Sequence, residues 1–236
     1  MVENSVVKIQ KDIFAPEIKL KRMRKLLLSA LALFAFGSMN AQNTKFGVKA
    51  GGNIAWLNGD AELSKPVPGF HAGGFVELKI TDKFSLQPEI LFSLQGGKDE
   101  KYERYGNTHI SEKMRITLGY LNIPVLAKYY VTKKISIEAG PQVGINVFAR
   151  QKFEYDDNTS GIRIIGGYNQ NVKESVKALD FGLALGTSYD LNDHLFLQAR
   201  YVFGLTSVHK EIDDEFGNYN PDIRNGVAQV SLGYRF

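Results

Sequence analysis

From residue 45 onward, apolar residues fall at every second position in eight separate runs. Phe46, Val48, Ala50, Ile54 and Trp56 mark the first; Phe70, Ala72, Val76, Leu78 and Ile80 the second; Phe84, Leu86, Ile90, Phe92 and Leu94 the third. The fourth runs from Leu121 to Val131, the fifth from Ile135 to Val147, the sixth from Leu179 to Tyr189 and the seventh from Leu195 to Leu205. The eighth ends the chain with Ala228, Val230, Leu232, Tyr234 and Phe236. Sustained alternation predicts strands with one apolar and one polar face. Eight is an even number, as bacterial outer-membrane barrels require. Ile116, Leu118 and Tyr120 stand out of phase with the run that follows, which predicts a bulge near Tyr120.

The connections alternate too. Thr81-Asp82-Lys83, Thr132-Lys133-Lys134 and Asp190 to His194 are short, and the hairpins at the first two look alike. Asn58 to Gly69, Gly96 to Lys113, Ala149 to Lys177 and Thr206 to Arg224 are long and polar. Short turns at one end and long loops at the other characterise an up-and-down outer-membrane barrel. Alternation alone leaves open a soluble barrel with an apolar lumen. Three features favour an outward apolar face. The polar face is rich in small residues, among them Gly47, Gly73, Gly119, Gly140 and Gly186. Aromatics gather near strand ends, and the last residue is Phe236. The expected fold is therefore all-β, an eight-stranded antiparallel transmembrane barrel with short periplasmic turns and long extracellular loops.

Upstream of the runs the period changes. Met23-Arg24-Lys25 opens a short apolar stretch, Leu26 to Phe36, followed by small residues up to Ala41. This is signal-peptide anatomy, and the stretch falls short of the about 20 residues needed to span a bilayer. The expected organisation is an upstream extension over 1–22, a cleavable leader over 23–41 and a barrel over 42–236. The leader region also explains the basic balance. Removing the seven basic and three acidic residues of 1–41 from totals of 29 and 25 leaves 22 of each sign. The body is neutral, which removes the electrostatic argument for nucleic-acid binding. With no cysteine, disulfides and thiolate metal sites are excluded.

Lys45-Phe46-Gly47-Val48-Lys49-Ala50-Gly51-Gly52-Asn53, Leu86-Gln87-Pro88-Glu89-Ile90-Leu91-Phe92-Ser93, Tyr120 to Tyr130 and Ala139-Gly140-Pro141-Gln142-Val143-Gly144 together resemble the PorT-like outer-membrane β-barrel family. These are wall motifs and name no activity. The resemblance covers the whole mature chain and implies a Gram-negative outer membrane. Some relatives are implicated in assembling secretion machinery. The ending Leu232-Gly233-Tyr234-Arg235-Phe236 looks like the signal read by the barrel insertion machinery, with Leu232, Tyr234 and Phe236 as its apolar anchors. Expected partners are outer-membrane lipids, that machinery and periplasmic chaperones, with no nucleic acid. The sequence does not name a loop partner.

Chemistry is sparse. His71, His109, His194 and His209 make no metal-ligand spacing. Ser111 lies near His109 without an acid fixed by the sequence, and Gly166-Gly167 lacks the strand–helix context of a phosphate loop. Asp156-Asp157 and Asp213-Asp214-Glu215 read as solvated loop charges before they read as calcium ligands. On the polar face, Glu77, Glu89, Lys128, Glu138 and Arg200 are expected to form one interior cluster in the periplasmic half, with Lys128 opposite Glu138. No cofactor is called for. The leading expectation is a non-catalytic barrel with a structural or interaction role through its loops, related to secretion or the envelope. A lipid-modifying barrel enzyme and a narrow channel are the alternatives.

Overall fold

The computed structural model describes residues 44–236, apart from 61, 62, 64, 107, 160, 161, 211, 215, 216 and 220, and apart from the side chains of 105, 159 and 211–220. The expected upstream extension and leader lie outside the described residues. The strands are β1 (Thr44–Gly59), β2 (Val67–Lys79), β3 (Phe84–Tyr105), β4 (Thr108–Tyr130), β5 (Ile135–Thr159), β6 (Ile162–Asn171), β7 (Leu179–Asp190), β8 (Leu195–Gly204), β9 (Ile212–Asp214), β10 (Gly217–Tyr219) and β11 (Ile223–Arg235). Eight of them, β1, β2, β3, β4, β5, β7, β8 and β11, close an antiparallel ring. The ring is sealed by β11 returning to β1, with Gly47 opposite Arg235 and Gly59 opposite Ile223. Closure leaves no edge inside the membrane, where an unpaired backbone group has no water to turn to.

The apolar face is outside. On β4, Asn122, Pro124, Leu126 and Lys128 are buried while Ile123, Val125, Ala127 and Tyr129 point outward. Val230 and Leu232, 64% and 51% exposed, continue this outward apolar face on β11, as a lipid-facing wall requires. The three short turns share one design. Thr81, Thr132 and Asn192 each accept two backbone N–H bonds from the residues two and three places on, at 2.7 to 3.3 Å. These side chains cap turns that would otherwise leave donors unpaired.

Two expectations need correction. First, much of the supposed loops is strand. β3, β4 and β5 run 22, 23 and 25 residues, well beyond the about 9–11 that cross a bilayer. Their upper parts, with β6, form a four-stranded sheet in the order β3-β4-β5-β6. Second, the bulge lies at the expected level but on the partner strand. Gly119 pairs with Phe148 and Tyr120 with Asn146, so Val147 of β5 is the extra residue. β4 keeps its phase: Leu118 and Tyr120 point inward and pack with Leu57, Leu63, Ala149, Val208 and Ile223. Gly119, expected on the polar face, lies outward under the Phe148 ring, 2.3 Å from where its Cβ would stand.

Candidate functional site

The inward positions hold two separate ionic networks. In the first, Arg200 on β8 donates both Nη atoms to Glu89 on β3 at 2.8 Å, and Nε to Glu138 on β5 at 3.0 Å. Lys49 on β1 lies 2.8 Å from Glu89 and donates to Gln198 at 2.7 Å. Gln198 in turn donates to both oxygens of Glu138 at 2.8 Å. Two cations thus meet two carboxylates, and the network is neutral. The guanidinium fork is bidentate, the strongest pairing available to a carboxylate.

The second network sits nearer the short turns. Glu77 on β2 faces Lys128 at 3.6 Å, Arg235 Nε at 3.2 Å and the hydroxyl of Tyr130, which donates to it. Arg235 also donates to Asp190 at 2.9 Å. This quartet is neutral as well. The Phe196 ring lies 4.4 Å from the Arg235 guanidinium and 5.6 Å from Lys128 Nζ, so its π face supplements the carboxylates. The two rings packed here have room because Gly47 and Gly233 carry no side chain. A Cβ on either would fall 2.2 Å from Phe75 or 2.1 Å from Phe196.

The expected single cluster is therefore divided. Glu89, Glu138 and Arg200 are joined, and Glu77 with Lys128 stands apart from them. Lys128 does face Glu138 across the β4–β5 ladder. The ammonium nevertheless turns to Glu77, while Glu138 is held by Arg200 and Gln198. In so narrow a lumen side chains reach past their ladder neighbours to strands across the barrel. Sequence reasoning passed over Lys49, Tyr130, Asp190, Gln198 and Arg235. Lys49 and Arg235 share the inward parity of their strands, and that signal was available. Asp180 joins neither network; Thr206 and Asn225 hydrogen bond to it at 2.9 and 2.7 Å.

Above the charges lies a buried apolar layer of Ala55, Val67, Leu126, Ala184, Val202 and Val227. Side chains thus fill the lumen, as eight strands allow. His71 and Ser231 hydrogen bond at 2.7 Å inside it, 1% and 2% exposed. Buried on all sides, that pair has no route for a substrate.

The upper sheet is the other candidate. Ser111 and His109 lie on β4, not in a loop, and Asp156 faces Ser111 across the ladder. Asp156 is occupied: Arg163 donates to its two oxygens at 2.9 and 2.6 Å. That bond holds the Asp156 carboxyl below the usual carboxylate range. Both Asp156 oxygens are thus turned to Arg163 rather than to Ser111 or His109. No group of metal-ligating side chains occurs among the described residues. β6 ends the sheet, with no strand on its far side among the described residues. Its Ile162, Ile164 and Ile165 are 69%, 52% and 67% exposed.

Residues 40–210 match the family model described as outer membrane protein beta-barrel domain. No match was found among curated proteins. Among solved structures, the chain is similar to Ail, the attachment invasion locus protein of Yersinia pestis, in complex with the heparin analogue sucrose octasulfate. Identity is 11%, covering 82% of this chain and 99% of that one, with a TM-score of 0.42. It is similar to Neisserial surface protein A at 12% identity, covering 81% and 97%, with a TM-score of 0.40. It is similar also to OprG of Pseudomonas aeruginosa at 14% identity, covering 81% and 95%, with a TM-score of 0.39. A lipid-facing apolar wall, a lumen of neutral ion networks and a family model spanning most of the chain agree: this is an outer-membrane protein of the outer membrane protein beta-barrel domain family.

Proposed function

We propose that the barrel is a non-catalytic scaffold that presents its upper sheet to an extracellular partner, in a Gram-negative envelope and with a PorT-like wall. One observation carries this reading: β6 is a ten-residue strand with a free edge and three exposed isoleucines. Soluble edges are normally blunted by Lys, Pro or bulges, because an open edge templates pairing. β6 has Arg163 as its only charge, and that charge is spent on Asp156. An extended segment of a partner adding to this edge would gain main-chain hydrogen bonds, with specificity from the isoleucines. The lumen supports the same reading. Its charges are paired internally, leaving neither a nucleophile open to substrate nor a wide polar path.

The ladder supplies a clean test. Val172 N donates to Ala149 O at 3.0 Å, so the even-numbered residues of β6 bond to β5 and the odd ones point to the free edge. Ile165→Pro removes a donor from the free edge and leaves the β5 ladder intact. Cells displaying this variant at normal levels should lose the cross-linked partner that wild-type cells retain. Equal cross-linking by both would contradict the proposal.

A further inference from the structure

On β4 the outward side chains from Tyr129 to Leu121 are apolar, and the next charged ones are Arg115 and Lys113. The ladder sets Lys98 opposite Arg115, and Arg115 opposite Lys152; one step lower, Thr117 faces Arg150. The top of the lipid-facing wall on three adjacent strands is thus ringed by cations. Like charges directly opposite one another on a sheet are destabilising. Lys98 and Lys152 are relieved by Glu100 at 3.2 Å and Glu154 at 2.6 Å. Arg115 and Arg150 have no carboxylate within ion-pair distance among the described residues.

The Val147 bulge supplies an independent observation. Asn146 points inward, and regular alternation would send 148, 150 and 152 inward after it. The extra residue reverses the phase, so Ala149 is buried and Arg150 is exposed beside Arg115. Bulges are over-represented at barrel rims and beside functional sites, where they re-aim side chains in this way.

We infer that Arg115 and Arg150, flanked by Lys98 and Lys152, bind the phosphate of an anionic lipid headgroup in the outer leaflet. Two guanidinium forks match the oxygens of a phosphomonoester, and their height places them where headgroups begin. This inference rests on the membrane placement of the barrel and not on any partner of β6.

The test uses the full barrel in nanodiscs of phosphatidylcholine containing a minority of phosphatidic acid. Lipids retained on release into the gas phase are counted by native mass spectrometry. Wild type should retain phosphatidic acid in preference to phosphatidylcholine. Arg115→Gln with Arg150→Gln should lose about tenfold or more of that preference. Arg163→Gln, already paired away from the membrane, should keep it. Arg115→Lys with Arg150→Lys keeps the charge and loses the fork. It should fall between wild type and the glutamine pair, and it keeps the test valid if the glutamine pair does not fold. No preference in wild type, undiminished preference in both double variants, or displacement by an equal concentration of inorganic phosphate would overturn the inference.

Discussion

Lys128 carries a cost that its neighbours must offset. It is fully buried, and Glu77 is the carboxylate it faces. Removing one member of a buried pair leaves the other uncompensated, typically about 3–5 kcal/mol. Lys128→Met should fall at the lower end, because Arg235 still reaches Glu77. The choice of rescue is decisive. Glu77→Leu added to Lys128→Met leaves the neutral Arg235–Asp190 pair and should recover much of the loss. Glu138→Leu added instead would leave one quartet negative and the other positive, and should make matters worse. Urea unfolding of the refolded barrel reads both. The inward side of every one of these residues was legible from alternation, since parity fixes the face. Which charge meets which was not, because partners on strands across a lumen share no sequence spacing.

Strands were legible where lipid lies on one side, and illegible where water lies on both. Ile123, Val125 and Ala127 declare β4 because their outward positions must be apolar. His109, Ser111 and Lys113 belong to the same strand, yet above the membrane no face demands apolar residues, and the segment reads as a loop. The bulge level was legible from the inward Leu118 and Tyr120, but those residues keep their phase to fill the lumen, and the shift fell on Val147. Deleting Val147 should give a regular β4–β5 ladder, because Phe148 then follows Asn146 directly and Ala149 and Arg150 keep their present faces. The folded, heat-modifiable band on unboiled gels should therefore persist; its loss would mean that the bulge itself is needed for the barrel to close.

The molecule as a whole must also be exported and inserted. Phe236 closes the ring at the periplasmic edge: its N–H donates to Phe46 O at 2.9 Å, and its ring sits edge-on to Tyr234 at 5.4 Å. Phe236→Asp should lose about 2–3 kcal/mol of burial in lipid and slow insertion as well. It should lower outer-membrane levels more than the same change at a loop position. Mass spectrometry of the inserted protein should find Gln42 at its N-terminus, and recovery of Met23 would refute the leader. The central claim is the direction of the wall, and the cysteine-free sequence allows it to be read residue by residue. Single cysteines placed in turn from Asn122 to Lys128, spin-labelled in lipid vesicles, report accessibility to dissolved oxygen and to a water-soluble nickel complex. The account predicts high oxygen accessibility at 123, 125 and 127, low values at 122, 124, 126 and 128, and little nickel accessibility at any of the seven. Oxygen accessibility highest at the even positions, or nickel accessibility along the odd ones, would contradict it.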